Sequence, residues 1–255
     1  MTRRPRLMVS PTGARRQKTD VAGIPLSIPE IALEALSCQR AGADAIHLHV
    51  RDRDGVHSLD AGLYREAILA VTEQAPGLEI QITTESAGRF EVGDQLRCLA
   101  QVRPVEASVA IREMLREPSL AAKVYGLADE VGIRVQHILF DLTDVASLRE
   151  AYRSGLVPET MREAIFVLGK YAPPTLGQPD DLEPMLAAAG DLELDWMVCA
   201  FGGNELACLT RAMQLGGHAR VGFENNIHLP DGSVAASNAQ LVKLVDQARD
   251  ALREE

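Results

Sequence analysis

The sequence predicts an α/β protein, a (β/α)8 TIM-type barrel that takes up residues 1–255 as a single domain. Eight short, largely apolar runs alternate with helix-like segments along the chain, as expected for parallel strands that are buried on both faces. The length of 255 residues suits eight strand–helix units of about 30 residues each. No G-x-G-x-x-G follows an early strand, which argues against a dinucleotide-binding sheet.

The eight predicted strands are spread evenly over the chain. They are Leu7–Val9, Ala45–Val50, Glu79–Thr83, Ala107–Val109, Val135–Phe140, Ala164–Leu168, Trp196–Ala200 and Ala219–Phe223. Barrels of this kind carry their chemistry at the C-terminal ends of the strands, so we expect the functional residues at those positions.

Capping signals mark several helix ends. Ser27 and Glu30 form an S-x-x-E capping box, and Gly42 stops the helix that follows. We expect Thr143 to cap the helix after the fifth strand and Ser237 to open the last helix. These signals separate the strands with helices, as the barrel requires.

The charge balance limits the partners. The chain has 26 Lys and Arg against 36 Asp and Glu, a net charge of −10, which argues against nucleic acid and against an anionic membrane surface. No apolar run has the length of a signal peptide core or a transmembrane helix. None of the four cysteines lies in a C-x-x-C spacing, which indicates reduced core thiols. We expect a cytoplasmic protein.

The second predicted strand carries two histidines. His47 and His49 are two residues apart in an otherwise apolar run, so their side chains share one face of the strand. Glu224 closes the last strand and is the best candidate for a third ligand. Two imidazoles and a carboxylate suit Zn²⁺, although Fe²⁺ uses similar ligands. The alternatives are a chance pair of histidines and a surface acid.

Other polar residues also end or follow strands. Arg220 lies four residues before Glu224 and either braces a carboxylate or holds an anionic substrate. Hydroxyls at Thr83, Thr84 and Ser108 are candidates for binding a substrate carboxylate or carbonyl, although threonine is also an ordinary strand residue.

Two loops are candidates for anion binding. After the first strand, Arg15, Arg16 and Lys18 form a basic loop that either binds a distal carboxylate or phosphate of a ligand or is simply solvated. Gly202 and Gly203 follow the seventh strand and either present backbone N–H groups to an anion or make a tight turn.

Two long motifs resemble the β-keto acid cleavage enzymes, whose named activity is 3-keto-5-aminohexanoate cleavage. They are His47-Leu48-His49-Val50-Arg51-Asp52 and Gly216-Gly217-His218-Ala219-Arg220-Val221-Gly222-Phe223-Glu224-Asn225-Asn226. The resemblance implies a barrel that holds Zn²⁺ through His47, His49 and Glu224. It also implies that a β-keto acid and acetyl-CoA are converted to acetoacetate and a new acyl-CoA, with Arg220, Thr83 and Ser108 at the substrate, in a homo-oligomer.

The chain departs from the family at one important position. The family usually reads Glu-Asp-Asn where this chain has Glu224-Asn225-Asn226. An amide such as Asn225 cannot accept a proton at neutral pH, so another base is needed, and Glu85 and His137 are the candidates. Two alternatives stay open: a metal-dependent barrel lyase or aldolase that acts on an oxo acid without CoA, and a non-catalytic barrel that binds a metal or a small acid.

Overall fold

The computed structural model describes residues 4–252. Within them the chain forms eleven strands, with ranges as follows. They are β1 (Leu7–Val9), β2 (Ala45–Leu48), β3 (Val50–Arg51), β4 (His57–Ser58), β5 (Glu79–Thr83), β6 (Glu106–Ala110), β7 (Arg134–Leu139), β8 (Glu163–Lys170), β9 (Thr175–Leu176), β10 (Asp195–Ala200) and β11 (His218–Val221).

Eight of these strands close into a parallel barrel, which confirms the predicted fold. The order around the barrel is β1, β2, β5, β6, β7, β8, β10 and β11, and β11 pairs with β1 to complete the ring. The remaining strands make two antiparallel hairpins, β3 with β4 and β8 with β9.

Helices separate the barrel strands. They are α1 (Ile28–Arg40), α2 (Ala61–Gln74), α3 (Val92–Val102), α4 (Ile111–Met114), α5 (Pro118–Val131), α6 (Leu142–Arg153), α7 (Leu182–Ala189), α8 (Glu205–Gln214) and α9 (Asn238–Ala251), with a 3₁₀ turn at Pro179–Asp181. None of the helices in the described part of the chain is both long enough and apolar enough to cross a membrane.

Three helix starts can be compared with their predicted caps. Glu30 accepts a hydrogen bond from the Ser27 backbone N–H at 2.9 Å, and the Ser237 side chain accepts one at the start of α9. The prediction for Thr143 is wrong: Asp141 caps α6, and its carboxylate accepts from the Thr143 backbone N–H at 2.9 Å. A carboxylate at this place is favoured because it also faces the positive end of the helix dipole.

Two predicted strand ends are also corrected. The second strand stops at Leu48 and the last at Val221, so His49 and Glu224 lie just beyond the ladder. Gly222 ends the last strand with φ +144°, and a Cβ there would lie 2.5 Å from the Ser10 carbonyl oxygen. Only glycine lets the backbones approach this closely. The chain turns at this point and directs Glu224 over the barrel.

Strand alternation divides the core into two layers. Leu7, Val9, Ile46 and Leu48 point outward into a large apolar layer beneath the helices. An inner layer fills the barrel itself and consists of Met8, Ala45, Ala110, Ile138, Ile165, Val167, Met197, Cys199 and Phe201. Since Ala45 points inward, His47, two residues further along β2, points inward as well.

Charged side chains occupy the N-terminal end of the barrel interior. The Glu106 carboxylate, 1% exposed, accepts hydrogen bonds from Arg6 at 2.7 Å and from Arg134 at 2.5 Å. Burial pushes the pKa of Glu106 upward, but the hydrogen bond and charge of Arg6 and the charge of Arg134 hold it below its usual value. Glu106 is therefore an ionised carboxylate within a buried ion-pair cluster.

Candidate metal centre and its cavity

Three side chains meet at the C-terminal end of the barrel. The Nε2 atoms of His47 and His49 lie 3.1 Å apart, and Glu224 Oε2 lies 3.8 Å and 3.5 Å from them. All three residues are buried. The structure therefore brings together the three residues that the sequence predicts as metal ligands.

The donor set fits a divalent metal. Bonds of about 2.0–2.2 Å in a tetrahedral arrangement place neighbouring ligand atoms about 3.3 Å apart, close to the separations of 3.1, 3.5 and 3.8 Å found here. Glu224 Oε2 is buried, and none of the described residues gives it a hydrogen bond. A buried carboxylate oxygen left in this state calls for a cation.

Gln81 orients the first of the two histidines. Its Oε1 lies 2.6 Å from His47 Nδ1, inside the barrel and in register with it on the neighbouring strand. A hydrogen bond at Nδ1 leaves Nε2 free to face the cluster, which is the usual arrangement behind a metal-bound histidine. No motif in the sequence points to Gln81, because its contact with His47 depends on the pairing of two strands.

Arg220 lies beside the cluster with unused hydrogen-bonding capacity. Its side chain is 3% exposed and lies 3.5 Å from Glu224 Oε1. Its Nε and one Nη have no partner among the described residues. Burial alone would raise the pKa of Glu224, but Arg220 and the two imidazoles hold it below its usual value. A buried guanidinium with free N–H groups is suited to bind a carboxylate.

A cavity of about 530 Å³ opens above the cluster. Seven of the predicted site residues line it, namely Arg15, His47, Thr83, Glu85, Arg220, Glu224 and Asn225. The volume lies within the range of small-molecule sites.

Other predicted residues lie outside this lining. The Thr84 hydroxyl donates to the Ser108 carbonyl oxygen at 2.8 Å. The Ser108 hydroxyl is buried in register with Thr83 and has no partner among the described residues. Gly202 donates its N–H to the Asn225 carbonyl oxygen at 3.3 Å, and a Cβ there would collide with Leu176. Gly203 lines a separate, very small pocket.

His137 is excluded as a base by its position. Gln136 and Ile138 face the barrel interior, so His137 points outward, where it packs between Tyr125 and Tyr152. Its Nε2 donates to the Met161 carbonyl oxygen at 3.2 Å, and burial lowers its pKa to about 4. Consecutive residues of one strand point to opposite faces of the sheet, so the predicted role of His137 is inconsistent with an inward-facing Gln136.

Glu85 and Asn225 both reach the cavity. Burial raises the pKa of Glu85 above its usual value, and its carboxylate forms an ion pair with Arg15 at 3.9 Å. The Asn225 Oδ1 is buried and has no partner in the described part of the chain. The cavity is thus lined by a carboxylate whose pKa is raised, Glu85, and by an amide that cannot accept a proton at neutral pH, Asn225.

The three cations of the basic loop after β1 do not all lie at the same place. The guanidinium groups of Arg15 and Arg16 lie 5.4 Å and 5.9 Å from the centre of the Tyr171 ring. Lys18 instead binds Glu30 at 2.6 Å, at the start of α1. Lys18 is therefore not one of the residues that line the cavity, and for this residue the structure favours the alternative of a surface cation over that of anion binding.

Several residues at the site were not found from the sequence. Lys170, Tyr171 and Arg112 line the cavity, and the Tyr171 hydroxyl donates to the backbone carbonyl oxygen of Glu224. Arg51 donates to the carbonyl oxygens of Gly13 at 2.6 Å, Arg16 at 3.1 Å and Gly55 at 3.0 Å, and so joins the basic loop to the β3–β4 hairpin. Arg51 lies within the histidine motif, and this position is the feature of the sequence that could have pointed to it.

The fold and the site define a class: barrels that carry a buried pair of histidines and a carboxylate at the C-terminal ends of their strands. The chain belongs to the family of beta-keto acid cleavage enzymes, whose profile matches residues 6–255. This match confirms the family that the two sequence motifs suggest and the expectation of an enzyme of this kind.

Two relatives illustrate the range within the family. The chain is 29% identical over 250 residues to the 3-keto-5-aminohexanoate cleavage enzyme of Fusobacterium nucleatum, covering 91% of this chain and 86% of that protein. It is 26% identical over 252 residues to the 3-oxoadipate:acetyl-CoA acetyltransferase of Cupriavidus necator, covering 94% and 86%.

Solved structures support the fold. ObcA in a binary complex with oxaloacetate superposes with a TM-score of 0.72 at 16% identity, over 91% of this chain. The chain spans 64% of the length of ObcA. A type I 3-dehydroquinate dehydratase from Clostridium difficile gives a TM-score of 0.67 at 12% identity, covering 99% of this chain and 93% of that one.

Proposed function

We propose that this protein is a Zn²⁺-dependent β-keto acid cleavage enzyme that exchanges acyl groups between a β-keto acid and acetyl-CoA. In the reaction R–CO–CH₂–COO⁻ and acetyl-CoA give acetoacetate and R–CO–CoA, so that all atoms balance. The observation that carries this proposal is that His47, His49 and Glu224 meet beside a buried Arg220, partly unpaired among the described residues, at a cavity that His47, Glu224 and Arg220 line.

Zn²⁺ would be held by the Nε2 atoms of His47 and His49 and by the Glu224 carboxylate. When bound, the metal would supply Lewis-acid polarisation of the keto acid's carbonyl group. Burial alone would raise the pKa of Glu224, but Arg220 together with the two histidines holds it below its usual value, so the carboxylate stays ionised.

Arg220 binds the carboxylate of the keto acid in this proposal. Its Nε and one Nη are buried without partners among the described residues, and a substrate carboxylate would satisfy both. The hydroxyl of Thr83 lines the same cavity, and that of Ser108 lies beside it in register, unpaired within the described chain. We assign both hydroxyls to orienting the substrate.

Glu85 takes the role of base. The CH₂ group between the ketone and the carboxylate of the substrate is its most acidic carbon, and Glu85 would remove a proton there. The resulting carbanion would attack the thioester carbon of acetyl-CoA and expel the CoA thiolate. The thiolate would then attack the R–CO carbon, and the bond from that carbon to the former CH₂ carbon would break, which releases R–CO–CoA. Glu85 would return its proton to the acetoacetate carbanion that remains. Burial raises the pKa of Glu85 toward the working pH, which improves a general base.

Arg15 is the residue we assign to substrate choice. It lines the cavity, half exposed, with Glu85 3.9 Å away as its carboxylate neighbour. A keto acid that ends in a second carboxylate would give Arg15 a closer partner, so we propose a preference for acidic side chains.

The test is a screen of β-keto acids with acetyl-CoA that carries ¹³C in its acetyl group. We expect ¹³C in carbons 3 and 4 of acetoacetate, an unlabelled new acyl-CoA in mass spectra, and about one Zn²⁺ per chain by metal analysis. The matched control is His49→Ala. A keto acid that is cleaved without any acyl-CoA product would instead establish a CoA-independent lyase, and a metal-free active protein would contradict the zinc site.

The setting of the protein is also part of the proposal. The four cysteines are free and buried, which suits a reducing compartment such as the cytoplasm. We propose that residues 1–255 act as a single barrel domain and assemble into a homo-oligomer, which light scattering coupled to size-exclusion chromatography tests directly.

A further inference from the structure

Side-chain hydrogen bonds run through the barrel interior from the charged N-terminal end to His47. Gln81 lies at the centre: its Nε2 donates to Glu106 Oε1 at 2.5 Å, and its Oε1 lies 2.6 Å from His47 Nδ1. Strand register brings the three together, because His47 pairs with Gln81 across β2 and β5, and Gln81 pairs with Glu106 across β5 and β6. All three side chains are buried.

The charge on Glu106 sets the direction of these bonds. Arg6 and Arg134 both donate to Glu106, so it is ionised and can only accept hydrogen bonds. Gln81 must therefore turn its NH₂ group toward Glu106, which leaves its carbonyl oxygen for His47. Since a carbonyl oxygen only accepts, the proton of His47 lies on Nδ1 and the lone pair on Nε2, toward His49 and Glu224.

We propose that Gln81 and Glu106 are positioning residues that hold His47 in the tautomer and orientation needed to bind a metal. The inference rests on the metal site of the proposed function. It applies to one ligand only, because Nδ1 of His49 has no partner among the described residues. A buried ion pair at one end of the barrel thereby prepares a ligand at the other.

The experiment measures the Zn²⁺ dissociation constant of the folded protein by competition with a coloured chelator. We expect Gln81→Met to weaken Zn²⁺ binding by about 10- to 100-fold, as for other partners behind metal-bound histidines. Glu106→Gln should weaken it as well, by allowing the Gln81 amide to turn. The double variant should bind no more weakly than Gln81→Met, because Glu106 acts through Gln81.

Glu163→Gln is the matched control. Glu163 belongs to the same charged cluster but pairs with Arg134, at 3.6 Å, so this variant should keep the wild-type Zn²⁺ affinity. A purely structural role would lower the unfolding free energy of the variants without changing their Zn²⁺ affinity, and that outcome would overturn the inference. Absence of Zn²⁺ binding by the wild type would instead refute the metal site itself.

A second measurement needs no variant. Long-range ¹H–¹⁵N spectra of the metal-free protein with ¹⁵N-labelled histidine report which ring nitrogen carries the proton. We expect His47 to be protonated at Nδ1. The Nε2-protonated tautomer of His47 would contradict the proposal even if every variant failed to fold.

Discussion

At the N-terminal end of the barrel, the buried Glu106 carboxylate is bonded to Arg6 and Arg134. At the C-terminal end, the buried Arg220 keeps two nitrogen atoms, and Glu224 one oxygen, without a hydrogen-bond partner among the described residues. Both ends hold buried charges. At the N-terminal end the chain itself supplies the partners of the carboxylate, and among the described residues one nitrogen of this cluster, Arg6 Nε, is left without a partner. At the C-terminal end three buried atoms of the Arg220–Glu224 pair are left without one in the described part of the chain.

The difference separates stability from function. Buried polar groups are costly unless they are paired, so a group left unpaired in the fold is poised for a partner from outside. Charges at the N-terminal end should therefore contribute to the free energy of folding, and those at the C-terminal end to ligand binding and catalysis.

His49→Ala should cause the greatest loss of activity. Removing one of three ligands should abolish stoichiometric Zn²⁺ binding and lower turnover by about 1,000-fold or more, because metal polarisation is worth several kcal/mol. Metal analysis and steady-state kinetics measure both. Full Zn²⁺ occupancy with normal turnover would contradict the view that the C-terminal end of the barrel serves metal binding and catalysis.

Glu85→Gln is expected to lower kcat by about 100- to 10,000-fold, the usual range for loss of a general base. The Zn²⁺ content should stay at the wild-type level, since Glu85 is not a ligand. Adding Asn225→Asp to this variant should raise its kcat by at least about tenfold, because a carboxylate is returned to the cavity. Unchanged kcat in Glu85→Gln would rule out this base.

The pH profile sharpens the same prediction. Burial raises the pKa of Glu85, so its carboxylate takes up a proton at a higher pH than an ordinary glutamate. A base acts only when deprotonated, and kcat/KM of the wild type should therefore fall as the pH is lowered through that raised value. The acidic limb should be absent from the residual activity of Glu85→Gln.

Arg6→Met tests the other end of the barrel. It leaves Glu106 with one fewer buried partner and should lower the unfolding free energy by about 3 kcal/mol. Arg4→Met is the control: Arg4 is exposed and pairs with Asp246 and Asp250 at the surface, so its loss should cost less than about 1 kcal/mol. Denaturant titration of metal-free protein measures both. Equal unfolding free energies of the two variants would show that the buried cluster stabilises the fold no more than a surface ion pair does.

Replacing Arg15 should change KM only modestly, and only for some keto acids. Arg15→Gln should raise KM for a keto acid with a second carboxylate by about fivefold, the worth of a partly exposed ion pair. Lys18→Gln is the matched control, because Lys18 binds Glu30 instead of facing the cavity. Equal KM values for Arg15→Gln and the wild type would contradict the assignment of Arg15.

The barrel and the three candidate ligands could be predicted because their signals are local. Apolar runs of strand length repeat along the chain, and the two-residue spacing of His47 and His49 determines that they share a face. The position of Glu224 followed from the end of the last strand, although the strand stops at Val221 and a glycine turn carries Glu224 into place.

The supporting residues could not be predicted because they depend on pairing between distant strands. Gln81 reaches His47 only through the register of β2 with β5. Tyr171 approaches Glu224 from the β8–β9 hairpin. A nearby carboxylate decides the contacts of Thr143 and of Lys18: Asp141 accepts a hydrogen bond from the Thr143 backbone N–H, and Glu30 accepts one from the Lys18 ammonium group.

The bonds made by Arg51 bear on how this enzyme can diversify. Arg51 holds the loop after β1 through main-chain carbonyl oxygens, at Gly13 and Arg16, and every amino acid supplies that acceptor. Side chains in the loop can therefore be exchanged while its path is retained. Gly13 is the exception, since a Cβ there would lie 2.6 Å from the Glu224 side chain. If Arg15 selects the substrate as we propose, its replacement would change the substrate range and leave the metal ligands in place.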